Sequence, residues 1–430
     1  MNKIFTNNIF YLVFGNLKKT TDYFKLGWRL SIGCGAILFA ISSFQSNPTK
    51  SYSTENNQNS IGYKSILSQA NCPDVNTLTC VNRTTADGLG HNTVLAVYES
   101  NGVLYTGTDG GLSISTDGGQ MFTNRTTANG LGDNAIREIY ELNGVLYVAT
   151  EGGLSISTDG GQTFTNRTTA NGLGINFVFE IYESNGVFYA GTNGGGLSIS
   201  TDGGQTFTNR TTTNGLGNNS VRSVYESNGV LYVATAGGVS ISTDGGQTFT
   251  NKTTTNGLGD NNVLEVYESN SVLYAATNTG LSISTDGGQT FINRTTAHGL
   301  GNNLVFSVYA SNGVIYAATF GGLSISTDGG QTFTSKTTAD GLGSNFVFRV
   351  YKSNGVIYVG TFGGLSICSS PPIMSTITQS ICEGSSYVFN NQTLTSAGTY
   401  TGTFTASNGC DSIVTLNSVS YTHLTLPTKA

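Results

Sequence analysis

The 430-residue chain has little charge: Lys and Arg number 19 and Asp and Glu 25, together 10% of the residues. Proline falls to 5, methionine and histidine to 3 each, and tryptophan to 1. Each shortage excludes something. A disordered chain carries more charge and fewer aromatics than the 10% here. A collagen-like chain needs far more proline and a strict three-residue period. The net charge of −6 is spread thinly and no basic run stands out, so nucleic acid is not an expected partner. His91, His298 and His423 have no zinc-ligand spacing. No metal and no cofactor is expected. What the chain has is 58 glycines among Thr, Val, Tyr and Phe. That mixture fits many short strands joined by tight turns.

The ends differ from the middle. Lys18, Lys19, Lys25 and Arg29 precede an apolar stretch from Leu30 to Phe44, which reads as a signal peptide over residues 1–45. The stretch is about 15 residues, short for a membrane span. An uncleaved anchor is the alternative; otherwise the mature chain stays out of the membrane. Cys34 lies early in the run, unlike a lipoprotein cysteine. Residues 46–71 are rich in Ser, Asn, Gln and Thr and read as a flexible linker. At the other end, V-S-Y-T-H-L-T-L-P-T-K-A, Val419 to Ala430, resembles a translated sequencing adapter. Residues 419–430 are therefore expected to be non-biological, and the chain a fragment.

Between these ends the sequence repeats. The block S-I-S-T-D-G-G-Q-T-F recurs with its aspartates at Asp117, Asp159, Asp202, Asp244, Asp286 and Asp328, at spacings of 42, 43, 42, 42 and 42. Two other markers occur seven times. One is the tyrosine of N-G-V-L-Y, at Tyr105, Tyr147, Tyr189, Tyr232, Tyr274, Tyr316 and Tyr358; the other is a Val/Ile-Tyr pair at Tyr98, Tyr140, Tyr182, Tyr225, Tyr267, Tyr309 and Tyr351. A period of about 40–45 residues signals a propeller or a solenoid. In the second repeat four strands are predicted: Ala135 to Tyr140, Val145 to Thr150, Leu154 to Thr158 and Thr163 to Thr168. Asn143-Gly144, Gly152-Gly153 and Asp159-Gly160-Gly161 supply the turns. The fold expected over residues 72–370 is thus an all-β, seven-bladed propeller of four-stranded blades.

Seven markers against six aspartate blocks show how the ring closes. The seventh repeat stops at Cys368, and L-T-C-V-N-R-T-T, Leu78 to Thr85, aligns with the missing fourth strand. Cys80 then aligns with Phe164 and Cys368 with Ser157, positions that face each other across a hairpin in other blades. A Cys80–Cys368 disulfide is expected, with Cys72 as the rival partner. Pro371-Pro372 marks a boundary, and residues 371–418 read as a partial β-module closed by a Cys382–Cys410 disulfide.

The S-x-D-x-G-x-T-F pattern resembles the Asp-box, or BNR, repeat of sialidases, sortilin-type receptors, xyloglucan-cleaving enzymes and photosystem assembly-factor propellers. The match covers roughly residues 80 to 368. The other half of each repeat is similar to the propeller repeats of periplasmic sensors in hybrid two-component systems. The C-terminal piece is similar to repeats in secreted surface proteins of gliding bacteria. The resemblance implies that each boxed aspartate caps a turn by accepting backbone N–H bonds.

A second periodic feature is a basic ring: Arg83, Arg125, Arg167, Arg210, Lys252, Arg294 and Lys336, each just before Thr-Thr. It is a candidate for an acidic glycan, though such side chains more often bond locally to loop carbonyls. Catalysis needs different residues converging on one spot, and the repeats differ little. Glu138, Glu180 and Glu265 hold the same place on the innermost strand of three repeats, where they could line the channel, and Arg137, Arg222 and Arg349 each lie inside a first strand. Their repetition reads as drift rather than an acid/base pair. The expected protein is a monomeric, non-catalytic binding or adhesion module. It is secreted or on the cell surface and takes a glycan or protein ligand on the T-T-A-N-G-L-G face, through many weak equivalent contacts. The alternatives are a sialidase-like or glycan-hydrolase enzyme and, more weakly, a periplasmic sensor.

Overall fold

The computed structural model describes residues 77–370, 373–382, 386–405 and 411–421. The signal peptide at 1–45, the linker at 46–71, Cys72 and the Cys382–Cys410 pairing lie outside the described residues.

Seven antiparallel sheets of four strands follow one another along the chain. In blade two the strands are Ile136–Leu142, Val145–Thr150, Gly153–Ser157 and Thr165–Arg167. Strand one runs two residues further than its pattern predicts. The reason is the tight hairpin: Asn143 and Gly144 take φ of 51° and 82°, a two-residue turn with both centres left-handed. Strand four is shorter than predicted. Gln162 and Thr163 give their N–H groups to Asp159, not to the ladder.

The T-T-A-N-G-L-G segment folds as one 3-10 turn. Thr126 accepts from the Ala128 amide and Asn129 accepts from the Thr126 amide, a reciprocal cap. Gly130 ends the turn at φ 95°, and a Cβ there would lie 2.5 Å from the Phe164 carbonyl oxygen. The Phe164 amide in turn donates to Asn129 O at 3.1 Å, so the turn that follows blade one lies against the outer edge of blade two.

The core lies between blades. Ala96, Tyr105 and Leu112 of blade one pack with Ile136, Ile139 and Leu146 of blade two. The same arrangement repeats around the ring to its closing interface, where Val94, Val97 and Leu104 meet Tyr358 and Leu365 of blade seven. No blade buries its apolar faces alone, which is why the fold needs the whole ring. Thr79–Arg83 supplies the outer strand of blade seven, paired with Gly364–Ser369.

The C-terminal residues form their own small sheets. Asp411–Tyr421 lies between Ile373–Cys382 and Gly398–Thr405, and Tyr387–Phe389 pairs with Gln392–Leu394. Asp411–Tyr421 takes in the first residues of the segment expected to be non-biological.

Candidate functional site

Each blade carries one irregularity, always at the same place. In blade two Ile136 faces Thr150 and Glu138 faces Ala149, so Arg137 has no partner residue across the ladder. The same skip falls at Leu95, Phe179, Arg222, Leu264, Phe306 and Phe348. Such a bulge breaks the alternation of side chains. Here it turns two successive residues of six innermost strands into the central channel, and Leu95 alone from blade one. Arg137 with Glu138, Phe179 with Glu180, Arg222 with Ser223, Leu264 with Glu265, Phe306 with Ser307 and Phe348 with Arg349 line a cavity of about 330 Å³. Two residues further along each strand stand the tyrosines. Tyr98, Tyr140 and Tyr351 are neighbours, as are Tyr182, Tyr225, Tyr267 and Tyr309, with ring centroids 5.1–5.9 Å apart. Burial raises their phenol pKa values, so all remain neutral.

The channel's charges converge in a way the repeat does not announce. Arg349 of blade seven reaches Glu138 of blade two at 2.7 Å and Glu265 of blade five at 2.6 Å. Glu138 also accepts from the Ile139 amide, and Glu265 from Val308 of the next blade. Burial pushes both carboxyls up and the Arg349 guanidinium pulls them back. These residues, expected as repeat drift, form a brace across the channel. Glu180 is the third carboxyl at this level. It makes no hydrogen bond or ion pair among the described residues. Burial, then the charge of Glu138, holds its pKa well above the usual range. Arg137 pairs with Glu151 on the rim. Arg222 has no carboxylate partner, and burial alone lowers its pKa.

Phenylalanines fill the rest of the mouth. On blades six and seven an array runs from the channel, where Phe306 and Phe348 lie 5.2 Å apart, to the rim, where Phe320 stacks on Phe346 at 3.9 Å and Phe346 meets Phe362 at 6.3 Å. Phe320, Phe346 and Phe362 are exposed. On blade three Phe177 and Phe179 are 4.7 Å apart, with Arg137 over the first ring and Arg222 over the second. The rim rings sit in the strand two–three loop and just before strand one; Phe320 N donates to Leu304 O and Phe362 N to Phe346 O. Both places are on the face of the T-T-A-N-G-L-G turns. That face is asymmetric, in contrast to the many equivalent contacts expected of it.

The boxed aspartates are on the opposite face. Asp159 Oδ1 accepts from Gln162 N, Thr163 N and Ser157 Oγ at 2.9, 3.0 and 2.7 Å, and Oδ2 from Thr163 Oγ1 at 2.6 Å. Asp202, Asp244, Asp286 and Asp328 repeat this. Asp117 has one bond fewer because Met121 replaces the threonine. The hydrogen bonds hold these carboxylates below their ordinary pKa. The basic ring does not gather at the mouth. Arg83, Arg125, Arg210 and Arg294 donate Nε to the carbonyls of Gly119, Gly161, Gly246 and Gly330, in the aspartate turn of the next blade. Arg167 and Lys252 reach Gln205 and Gln289 of those turns, and Lys336 pairs with Asp340. These cations sit on outermost strands and tie blade to blade. Among the described residues no group of His, Cys, Asp and Glu could hold a metal ion, and no helix is long and apolar enough to cross a membrane.

Fold and site together define a seven-bladed β-propeller with four-stranded blades and an asymmetric channel mouth. No family model and no curated protein matches the chain. Among solved structures it is similar to the extracellular domain of a hybrid two-component system from B. thetaiotaomicron, at TM-score 0.59 and 21% identity, over 69% of this chain and 42% of that one. YCF48 bound to D1 peptide matches at TM-score 0.53 and 18% identity, over 69% and 98%. A GH74 enzyme of Niastella koreensis matches at TM-score 0.50 and 21% identity, over 67% and 53%. The chain spans less than half the length of the first. At these identities the likeness is one of fold.

Proposed function

We propose that this is an exported, non-catalytic binding propeller, secreted or held at the cell surface, that takes a glycan or protein ligand at the channel mouth. One observation carries the reading: the seven copies diverge most where side chains face that mouth. The bulge pairs, the residue before strand one and the strand two–three loop differ from blade to blade. The Asp-box turns, just as exposed, repeat almost letter for letter. Ring closure demands regular blades, but it does not demand that channel residues differ. A site for one asymmetric ligand does.

Glu138 and Glu265 are engaged by Arg349, which leaves Glu180 without a free carboxylate partner of the kind glycoside hydrolysis uses. Two of the similar structures bear on the ligand only by their names: one was solved with a peptide, another is a glycoside hydrolase family enzyme.

The test is binding of the intact protein to glycan and peptide arrays, with two variants. Phe320→Ala with Phe346→Ser gives the rim its blade-four residues; Gln162→Ala alters only an Asp-box turn. Binding should fail in the first and persist in the second. The opposite pattern, or hydrolysis of sialosides or β-glucans, rejects the proposal.

A further inference from the structure

The mouth holds three arginines, and two have counter-charges. Arg137 pairs with Glu151, and Arg349 with Glu138 and Glu265. Arg222 has neither an ion pair nor a hydrogen bond among the described residues, and its Nε is buried with no acceptor. Its guanidinium lies over the Phe179 ring, 5.4 Å from the centroid. A half-buried guanidinium that faces a cavity without a counter-charge is open to an anion from outside.

We infer that the part of that glycan or protein ligand which enters the channel carries a carboxylate beside an aromatic or other apolar group, its anion on Arg222 and its apolar part against Phe306 and Phe348. The inference rests on the mouth being the binding site. A guanidinium presents parallel N–H donors that match a carboxylate in bidentate fashion. Blade four, which carries Arg222, lies two and three blades around the ring from blades six and seven, which carry the phenylalanines. A ligand spanning the channel must therefore be anionic at one end and apolar at the other. The cavity of about 330 Å³ sits at the small end of the range for small-molecule sites, which begins near 300 Å³. Glu180, on the blade beside Arg222, faces the same cavity. Burial and the charge of Glu138 raise its pKa, which favours the protonated form that can give an O–H to the same anion. A cationic ligand gains no such partner and meets Arg222.

The test uses the intact chain and three probes that differ in one group: hydrocinnamate, its amide and phenylpropylamine. Calorimetric titration should give the acid at least a roughly tenfold tighter Kd, the equivalent of about 1.4 kcal/mol. Arg222→Gln should erase that advantage and Arg222→Lys should keep part of it, with melting temperatures checking that both variants fold. Equal binding of the amide or amine, no binding of the acid, or an advantage that survives Arg222→Gln overturns the inference. If the amide or amine binds and the rim variant abolishes that binding, the mouth remains a binding site and only the choice of ligand falls.

Discussion

Cys80 and Cys368 face each other in register on adjacent antiparallel strands, their Cα atoms 4.0 Å apart and their sulfurs bonded. In the other blades the equivalent positions are joined by the Asp-box turn. Blade seven has no such turn, because its outer strand comes from the far end of the domain, and the disulfide takes its place. The bond closes a loop of 288 residues. Chain entropy then predicts a stabilisation of at most about 6 kcal/mol. Cys80→Ser with Cys368→Ser should lower the urea midpoint and speed amide exchange in Thr79–Arg83 and Gly364–Ser369 before other blades. Uniform exchange around the ring would show that the join is no weaker than its neighbours.

Arg349 joins blades two, five and seven through Glu138 and Glu265, and the two carboxyls are buried. Arg349→Met leaves both without their partner. The expected cost is about 3–5 kcal/mol, the usual result of removing one side of a buried ion pair. Adding Glu138→Leu and Glu265→Leu should return most of it. Denaturant midpoints measure both. A loss below about 1 kcal/mol in the single variant would mean the brace is not holding the channel.

The ring was legible in the sequence because its determinants are local and repeated: Asn-Gly turns, Asp-box turns and alternating strands. The disulfide was legible from alignment alone. The channel was legible in part: Glu138, Glu180 and Glu265 read as innermost-strand residues able to line it, but the convergence of Glu138 and Glu265 on Arg349 was not. Reading strand one as a strict alternation puts Arg137 and Glu138 on opposite faces; the bulge puts both in the cavity. Glu138, Glu265 and Arg349 lie up to five blades apart in the chain and meet only when the ring closes. A signal did exist: these columns vary while the rest of the repeat does not. The basic ring showed the reverse. Its regularity left open a ligand surface or, more often, local bonds to loop carbonyls, and its positions do serve the regular contacts between blades.

Glu180 gives the protein a distinctive pH response. Its folded pKa is raised, chiefly by burial and next by Glu138. A raised acid contributes stability that is fully present below its unfolded pKa, about 4.3, and is lost as pH rises through the folded value. The Asp-box aspartates, whose pKa values are depressed, act oppositely: their contribution is present above about 3.9 and is lost as pH falls. Glu180→Gln should therefore leave the acid limb of the stability profile unchanged and remove the decline on the neutral side. The gain over wild type should grow as pH rises. Thermal melts from pH 4 to 8 measure it; a gain that is constant with pH would assign it to packing instead of charge.

Phe320 and Phe346 stack at 3.9 Å with their planes 10° apart, although both are on the rim, at 38% and 39% exposure. Blades one and two carry Asp109 and Glu151 where Phe320 stands. Exposed apolar surface of this kind marks an interaction site more often than a structural need. The two roles separate in a double-mutant cycle. The stacked pair should couple by about 0.5–1.5 kcal/mol, so Phe320→Ala and Phe346→Ala each cost little and together cost less than their sum. If the pair existed only for the fold, removing it would matter to stability alone. If the rim guides the apolar end of a ligand into the channel, both variants should weaken hydrocinnamate binding several-fold while the melting temperature moves by only a few degrees. Unchanged affinity in both variants would confine the binding surface to the channel walls, at Phe306 and Phe348.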